Sequence, residues 1–154
     1  MDDDTLAVAR ALMDRADDGS IFIKLQINSV SAVLAYREHR YPEGLVLLDR
    51  FLATPSSGPG SRVTQTDPGQ QAGSRFIRAM LCAELGRTEE ARRDFAQARD
   101  QLKLALGDKP GHDRGGEGPW VKPWVKTYQA ESRQREAEAL FKAKGIPLPE
   151  PDAK

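Results

Sequence analysis

His39 and His112 are the two imidazoles of this 154-residue chain, and acid–base chemistry near neutral pH would draw on them first. His112 stands beside Asp113 and Arg114 in Gly111-His-Asp-Arg-Gly-Gly-Glu-Gly118. A His–Asp pair orients an imidazole for proton transfer, but the reaction also needs a placed nucleophile, and the sequence supplies none. No strand is expected before this glycine-rich stretch, so it reads as a connector rather than a phosphate cradle. The patterns G-x-x-x-x-G-K-[ST], G-x-S-x-G and H-E-x-x-H are missing, as are ligand-spaced His/Asp/Glu sets. Cys82 is the single cysteine, which excludes an internal disulfide and a cysteine zinc cluster. It sits between Leu81 and Ala83 on an apolar helix face, where a thiol is ordinarily buried and inert. These residue types point away from catalysis, and neither a metal nor a cofactor is expected. The rival from another class is a regulatory or accessory enzyme subunit using His112, Asp113 and Arg114.

Recognition chemistry is better represented. Tyr36-Arg37 sets an aromatic with a polar tip beside a guanidinium, a pairing common at interface hot spots, although a solvated helix face explains it as well. Phe76 and Met80, one helical turn apart, offer an adaptable apolar patch for a partner helix or peptide. The competing reading places both in the core, where apolar residues at helical spacing usually belong. Pro119-Trp-Val-Lys-Pro-Trp-Val-Lys126 is a local duplication that puts Trp120 and Trp124 on one helix face. Two lysines are too few for a nucleic-acid stripe, so the tryptophans read as anchors of a closing helix.

Charge and length bound the partners further. Lys+Arg and Asp+Glu number 23 each, and zero net charge provides no global field to hold a phosphate backbone. No apolar run approaches the ~20 residues that span a bilayer. The start, Met1-Asp2-Asp3-Asp4, is acidic where a secretory leader is basic. The expectation is a cytoplasmic protein that engages neither nucleic acid nor membrane.

The elements that must position these residues are helices. Pro55–Gly73 and Gly107–Pro119 concentrate Gly and Pro and read as long loops, and the tail 145–154, with its three prolines, reads as extended and mobile. Between them, apolar residues recur at helical spacing. Leu6, Leu12 and Met13 suit a first helix begun by the aspartates. A second segment runs from Ile21 to His39, the first part of which would also suit a strand by its Ile/Val content, and Tyr41-Pro42-Glu43 opens a third helix lined by Leu45, Leu48, Phe51 and Leu52. A fourth carries Phe76, Ile77, Met80 and Leu81 to Gly86. The next starts with Thr88 as N-cap and has Ala91, Phe95, Ala98, Leu102 and Leu106 on its inner face. The last starts near Pro119–Pro123 and carries Trp124, Tyr128, Ala137, Leu140 and Phe141, with the polar stretch Glu131–Glu136 as a solvated face.

Two helix pairs share a pattern. Ala32 and Ala79 are small, Arg40 and Arg87 form a basic turn, and Glu43 and Glu90 come next. Gly44 and Ala91 are again small, and Leu48 and Phe95 are bulky. Small residues let two antiparallel helices approach while the bulky one fills the gap. Leu85-Gly-Arg-Thr-Glu-Glu-Ala-Arg-Arg-Asp-Phe-Ala-Gln-Ala98 resembles the tetratricopeptide repeat (TPR) family, with Ala79, Gly86, Ala91, Phe95 and Ala98 on that family's small, turn and helix-B positions. In the first repeat the matching residues are Ala32, His39, Gly44, Leu48 and Phe51. His39 departs from the turn glycine and Phe51 from the last small position, and neither repeat has the family's first-helix aromatic. His39 to Gly86 is 47 residues against a family period of ~34, with the excess in the Pro/Gly loop. The layout also resembles helical-repeat regions at the C-terminal ends of large bacterial proteins, including some Ser/Thr kinases.

The resemblance implies an all-α, right-handed helical-hairpin array with N- and C-terminal capping helices, in one domain over 1–144. Repeat one would cover about 23–54 and repeat two about 73–106, joined by a loop over 55–72. A second loop over 107–118, a closing helix over 119–144 and the tail 145–154 complete it. It implies a concave groove at Gln26, Ser29, Val33, Tyr36 and Arg37, continuing over Phe76, Met80, Ala83 and Glu84. The expected function is non-catalytic binding of a partner peptide or helix there, with self-association through an uncovered edge as the rival within that class. Groove residues that grip a peptide's terminal carboxylate in some relatives are lacking at the matching positions.

Overall fold

The computed structural model describes residues 21–53, 68–107 and 123–150, with side chains described over 29–53, 68–106 and 128–150. The expected first helix and its cap, the loop over 55–67, His112-Asp113-Arg114 and Trp120 all lie outside them. The described residues form helices α1 (Ile21–Arg37), α2 (Tyr41–Ala53), α3 (Pro68–Glu84), α4 (Thr88–Gly107) and α5 (Pro123–Lys144), with no strand among them. They fall into two compact units: α1 and α2 within Met1–Val63, and α3 to α5 within Thr64–Lys154.

Unit one is a helical hairpin. Ala32 and Gly44 are buried and small, Leu48 and Phe51 are buried and bulky, and Ala35 and Leu45 complete the seam. The chain reverses over three residues because His39 takes a left-handed φ of 59°. Arg40 N donates to Ala35 O (2.7 Å) and His39 N to Tyr36 O (3.1 Å), which satisfies the last carbonyls of α1. Gly44 N then donates to Arg40 O (3.1 Å) to open α2.

Unit two uses the same turn twice more. Arg87 N donates to Cys82 O (2.8 Å) and Gly86 N to Ala83 O (3.3 Å), with Gly86 at φ 73°. Ala91 N donates to Arg87 O (2.9 Å), so Arg87 caps α4 with its carbonyl, and Thr88 is the first helical residue rather than the N-cap. After α5, Ile146 N donates to Phe141 O (2.9 Å) and Gly145 N to Lys142 O (3.2 Å), with Gly145 at φ 67°. Among the described residues no helix follows this third turn, because Pro147 and Pro149 each push the preceding residue out of the α region.

Side-chain partners fix the directions of the helices. Gln101 Nε2 donates to Gln71 Oε1 (2.7 Å), Arg75 Nη1 to Gln97 Oε1 (2.6 Å), and Arg78 to Asp94. Rising numbers on α3 meet falling numbers on α4, so the pair is antiparallel. Gly73 lies against Ala130 and Arg133, and Lys144 Nζ pairs with Glu84 Oε2 at 2.7 Å, so α5 runs parallel to α3. The core holds Phe76, Phe95 and Phe141 with Ala72, Ala79, Ala91, Ala98, Leu102, Ala130 and Ala137.

Three expectations change here. α3 begins at Pro68, inside the stretch read as loop, because Pro suits a first helical position and Gly73 serves close approach rather than turning. A Cβ on Gly73 would stand 3.2 Å from Arg133 Nη1 and 3.9 Å from Ala130 Cα. Arg133 therefore packs across α3, and Glu131–Glu136 is not wholly a solvated face. Leu106 is exposed, unlike Ala91, Phe95, Ala98 and Leu102, since α4 runs on past the Gln71–Gln101 contact near the start of α3.

At Gly86 nothing lies within 4 Å of where a Cβ would stand, so Gly86→Ala meets only the backbone penalty of positive φ. Urea melts should show it costing about 1 kcal/mol. His39→Gly should instead stabilise unit one by up to about 1 kcal/mol, because it relieves the same strain.

Candidate interaction surface

Gln26, Ser29, Val33, Tyr36 and Arg37 lie on successive turns of α1 and so share one side of it. The Gln26 side chain is outside the described set. Ser29 is buried, Val33 and Tyr36 are half-buried, and Arg37 is exposed. The Arg37 guanidinium lies over the Tyr36 ring, 5.6 Å from its centroid, a contact worth about 0.5–1 kcal/mol at exposed sites. Tyr36 also meets Tyr41 across the turn, with ring centroids 6.0 Å apart. His39 stands edge-on to Tyr41 at 5.7 Å, and its Nδ1 is 2.5 Å from the Tyr41 hydroxyl. The hairpin turn thus gathers three rings and a guanidinium, and the left-handed φ of His39 brings its imidazole to Tyr41. Tyr41 and His39 were not expected in the site. Their signal was the turn itself, which folds Tyr41 back onto the last turn of α1.

The groove residues on α3 have a different fate. Phe76 and Met80 are fully buried, Ala83 nearly so, and Glu84 is half-buried in its ion pair with Lys144. The structure thus corrects the groove assignment of Phe76 and Met80: of the two readings open for them, packing is the one observed. Phe76 meets Phe95 edge-on at 5.3 Å, and Phe95 meets Phe141 at 5.2 Å, so its ring is part of the contact among three helices. The polar seam beside it is structural too. Asp94 is buried between Arg78 and Arg75, with Arg75 Nη1 3.6 Å from its Oδ1. Burial pushes its carboxyl up, against the pull of both arginines.

Cys82 is fully buried, and burial pushes its thiol up to about 11, chiefly by desolvation. A protonated thiol is a poor nucleophile. No group of three His, Cys, Asp or Glu able to hold a metal occurs among the described residues, and no described helix is long and apolar enough to cross a membrane. Trp124 falls in the first turn of α5.

Comparison of the chain with protein-family models, with curated proteins and with solved structures returns no match in any of the three.

This geometry has two measurable consequences. At pH 8, Cys82 should react with a thiol reagent only as fast as unit two opens, and rapid labelling of the native chain would contradict its burial. Asp94→Ala should cost about 1–3 kcal/mol by removing the buried carboxylate that Arg78 and Arg75 share, and Asp94→Leu combined with Arg78→Met should recover most of that loss in a denaturant melt.

Proposed function

We propose that this chain is a non-catalytic, cytoplasmic protein-interaction module of TPR-like hairpins, which binds a peptide or helix of a partner protein. The contact surface is the exposed side of α1 and its turn: Val33, Tyr36 and Arg37, extended by His39 and Tyr41. The observation that carries this reading is the Arg37–Tyr36–Tyr41 cluster, with the guanidinium 5.6 Å and the tilted Tyr41 ring 6.0 Å from the Tyr36 ring centroid. Interface hot spots favour aromatic and arginine side chains, and these touch one another at the hairpin turn, which lowers the ordering cost of binding.

Support for the TPR-like arrangement comes from the hairpins. The positions matched in sequence, Ala32, Gly44, Leu48 and Phe51 in one and Ala79, Ala91, Phe95 and Ala98 in the other, are all buried. Both hairpins share one turn geometry, and α5 parallels α3 as the first helix of a further repeat would. In this reading α3 and α5 are scaffold, and the α1 side is what a partner meets. Self-association is the second reading, favoured by the exposed Leu104, Leu106 and Tyr128 of unit two.

The test is affinity capture from source-cell lysate, with wild type compared against Tyr36→Ala/Arg37→Ala. A partner retained by wild type should fall at least tenfold in the double variant while the far-UV dichroism stays unchanged. Equal capture by both would remove α1 as the contact surface. A concentration-dependent dimer abolished by Leu104→Ser/Leu106→Ser would favour self-association.

A further inference from the structure

The three helices of unit two are not tied together equally. Only the turn at Gly86 separates α3 from α4, whereas residues 108–122 lie between α4 and α5 in the chain. A longer link holds the elements it joins at a lower effective concentration, so α5 relies more on contacts at its far end to stay docked. There a second tie exists. Beyond Gly145 the chain is extended and Ile146 is half-buried. Arg99 of α4 then donates from Nη1 to Pro149 O and from Nη2 to Glu150 O, both at 3.0 Å. Two charge-assisted bonds from one guanidinium fix the path of that backbone. Pro147 and Pro149 restrict it to few conformations, so the segment loses little entropy when held.

What this tie holds closed follows from the register of α3. Gly73 and Glu84 touch Ala130, Arg133 and Lys144 of α5. Ile77 and Met80 fall between them on the same side of α3, and both are buried. Gln71, Arg75 and Arg78 bond to α4, and Cys82 continues that other side by one turn. Departure of α5 alone would uncover Met80 and leave Cys82 covered by α4.

We propose that residues 146–150 are a strap that holds α5 shut over α3, and that α5 opens by itself when Arg99 lets the strap go. Proteins open locally in cooperative segments of differing stability, and the strap sets the population in which the Ile77–Met80 side of α3 is accessible. The device lies within unit two and stands independently of the α1 patch.

The test follows thiol labelling at pH 8 in increasing, sub-denaturing urea for two full-length chains, the natural one with Cys82 and a Cys82→Ala/Met80→Cys variant. Labelling at position 80 should depend on urea less steeply than labelling at Cys82, because opening α5 exposes less surface than unfolding the whole unit. Adding Arg99→Ala to the variant should speed labelling at position 80 at least about fivefold, and Pro147→Gly/Pro149→Gly should act in the same direction. Unchanged far-UV dichroism reports that each chain keeps its helices. The same urea dependence at both positions would overturn the proposal, since α5 would then leave only with the whole unit. So would an unchanged rate at position 80 in Arg99→Ala, because the strap would then hold nothing shut.

Discussion

Phe95 stands between Phe76 and Phe141, so a single ring on α4 is the place where the three helices of unit two meet. Offset and edge-on aromatic contacts of this kind add about 0.5–1.5 kcal/mol beyond the area they bury. They also impose a geometry. Rings 5.2–5.3 Å apart on three helices require the backbones around them to come close, and the neighbouring positions are accordingly small: Ala72, Gly73, Ala79, Ala91, Ala98, Ala130 and Ala137. The polar seam of Gln71, Arg75, Arg78, Asp94, Gln97 and Gln101 lies along the α3–α4 pair and fixes its register. Apolar packing supplies most of the stability, and Asp94 is the buried charge of this seam.

The second organising feature is one turn used three times. Each instance has a left-handed residue, His39, Gly86 or Gly145, and the same two hydrogen bonds back to the helix. The residues beyond the turn decide whether a helix starts there. After Arg40 and Arg87 come residues that accept helical dihedrals, with Glu43 and Glu90 in the first turn, where they favour the helix dipole. After Ile146 come Pro147 and Pro149, and the chain stays extended. The tail therefore holds the place in the chain order where another helix would begin, and it offers backbone carbonyls where a helix would have bonded them internally.

Much of this was legible in the sequence because it rests on local chemistry. Helical periodicity gave the all-α class, and the matched small and bulky positions of the two hairpins gave their buried seams. Gly86 marked its turn. Gly73 misled, since the same absence of Cβ that breaks a helix in isolation lets α3 accept α5 at close range. The groove on α3 was read from a family register that leaves the first helix of each pair open on one side. That register carries no information on where α5 lands, and Phe76 and Met80 are buried in unit two. Tyr41 and Arg99 were missed because their partners lie across a turn or 50 residues away, beyond any periodic signal.

The closed face of α3 requires α5 to run parallel to it. Cysteines at the Glu84–Lys144 contact probe this directly, in a Cys82→Ser chain carrying Glu84→Cys and Lys144→Cys. A short bismaleimide should join the pair within one molecule in high yield. Poor joining of that pair, with efficient joining of Glu84→Cys to Gln129→Cys instead, would mean that α5 runs the other way and that the face of α3 is closed differently.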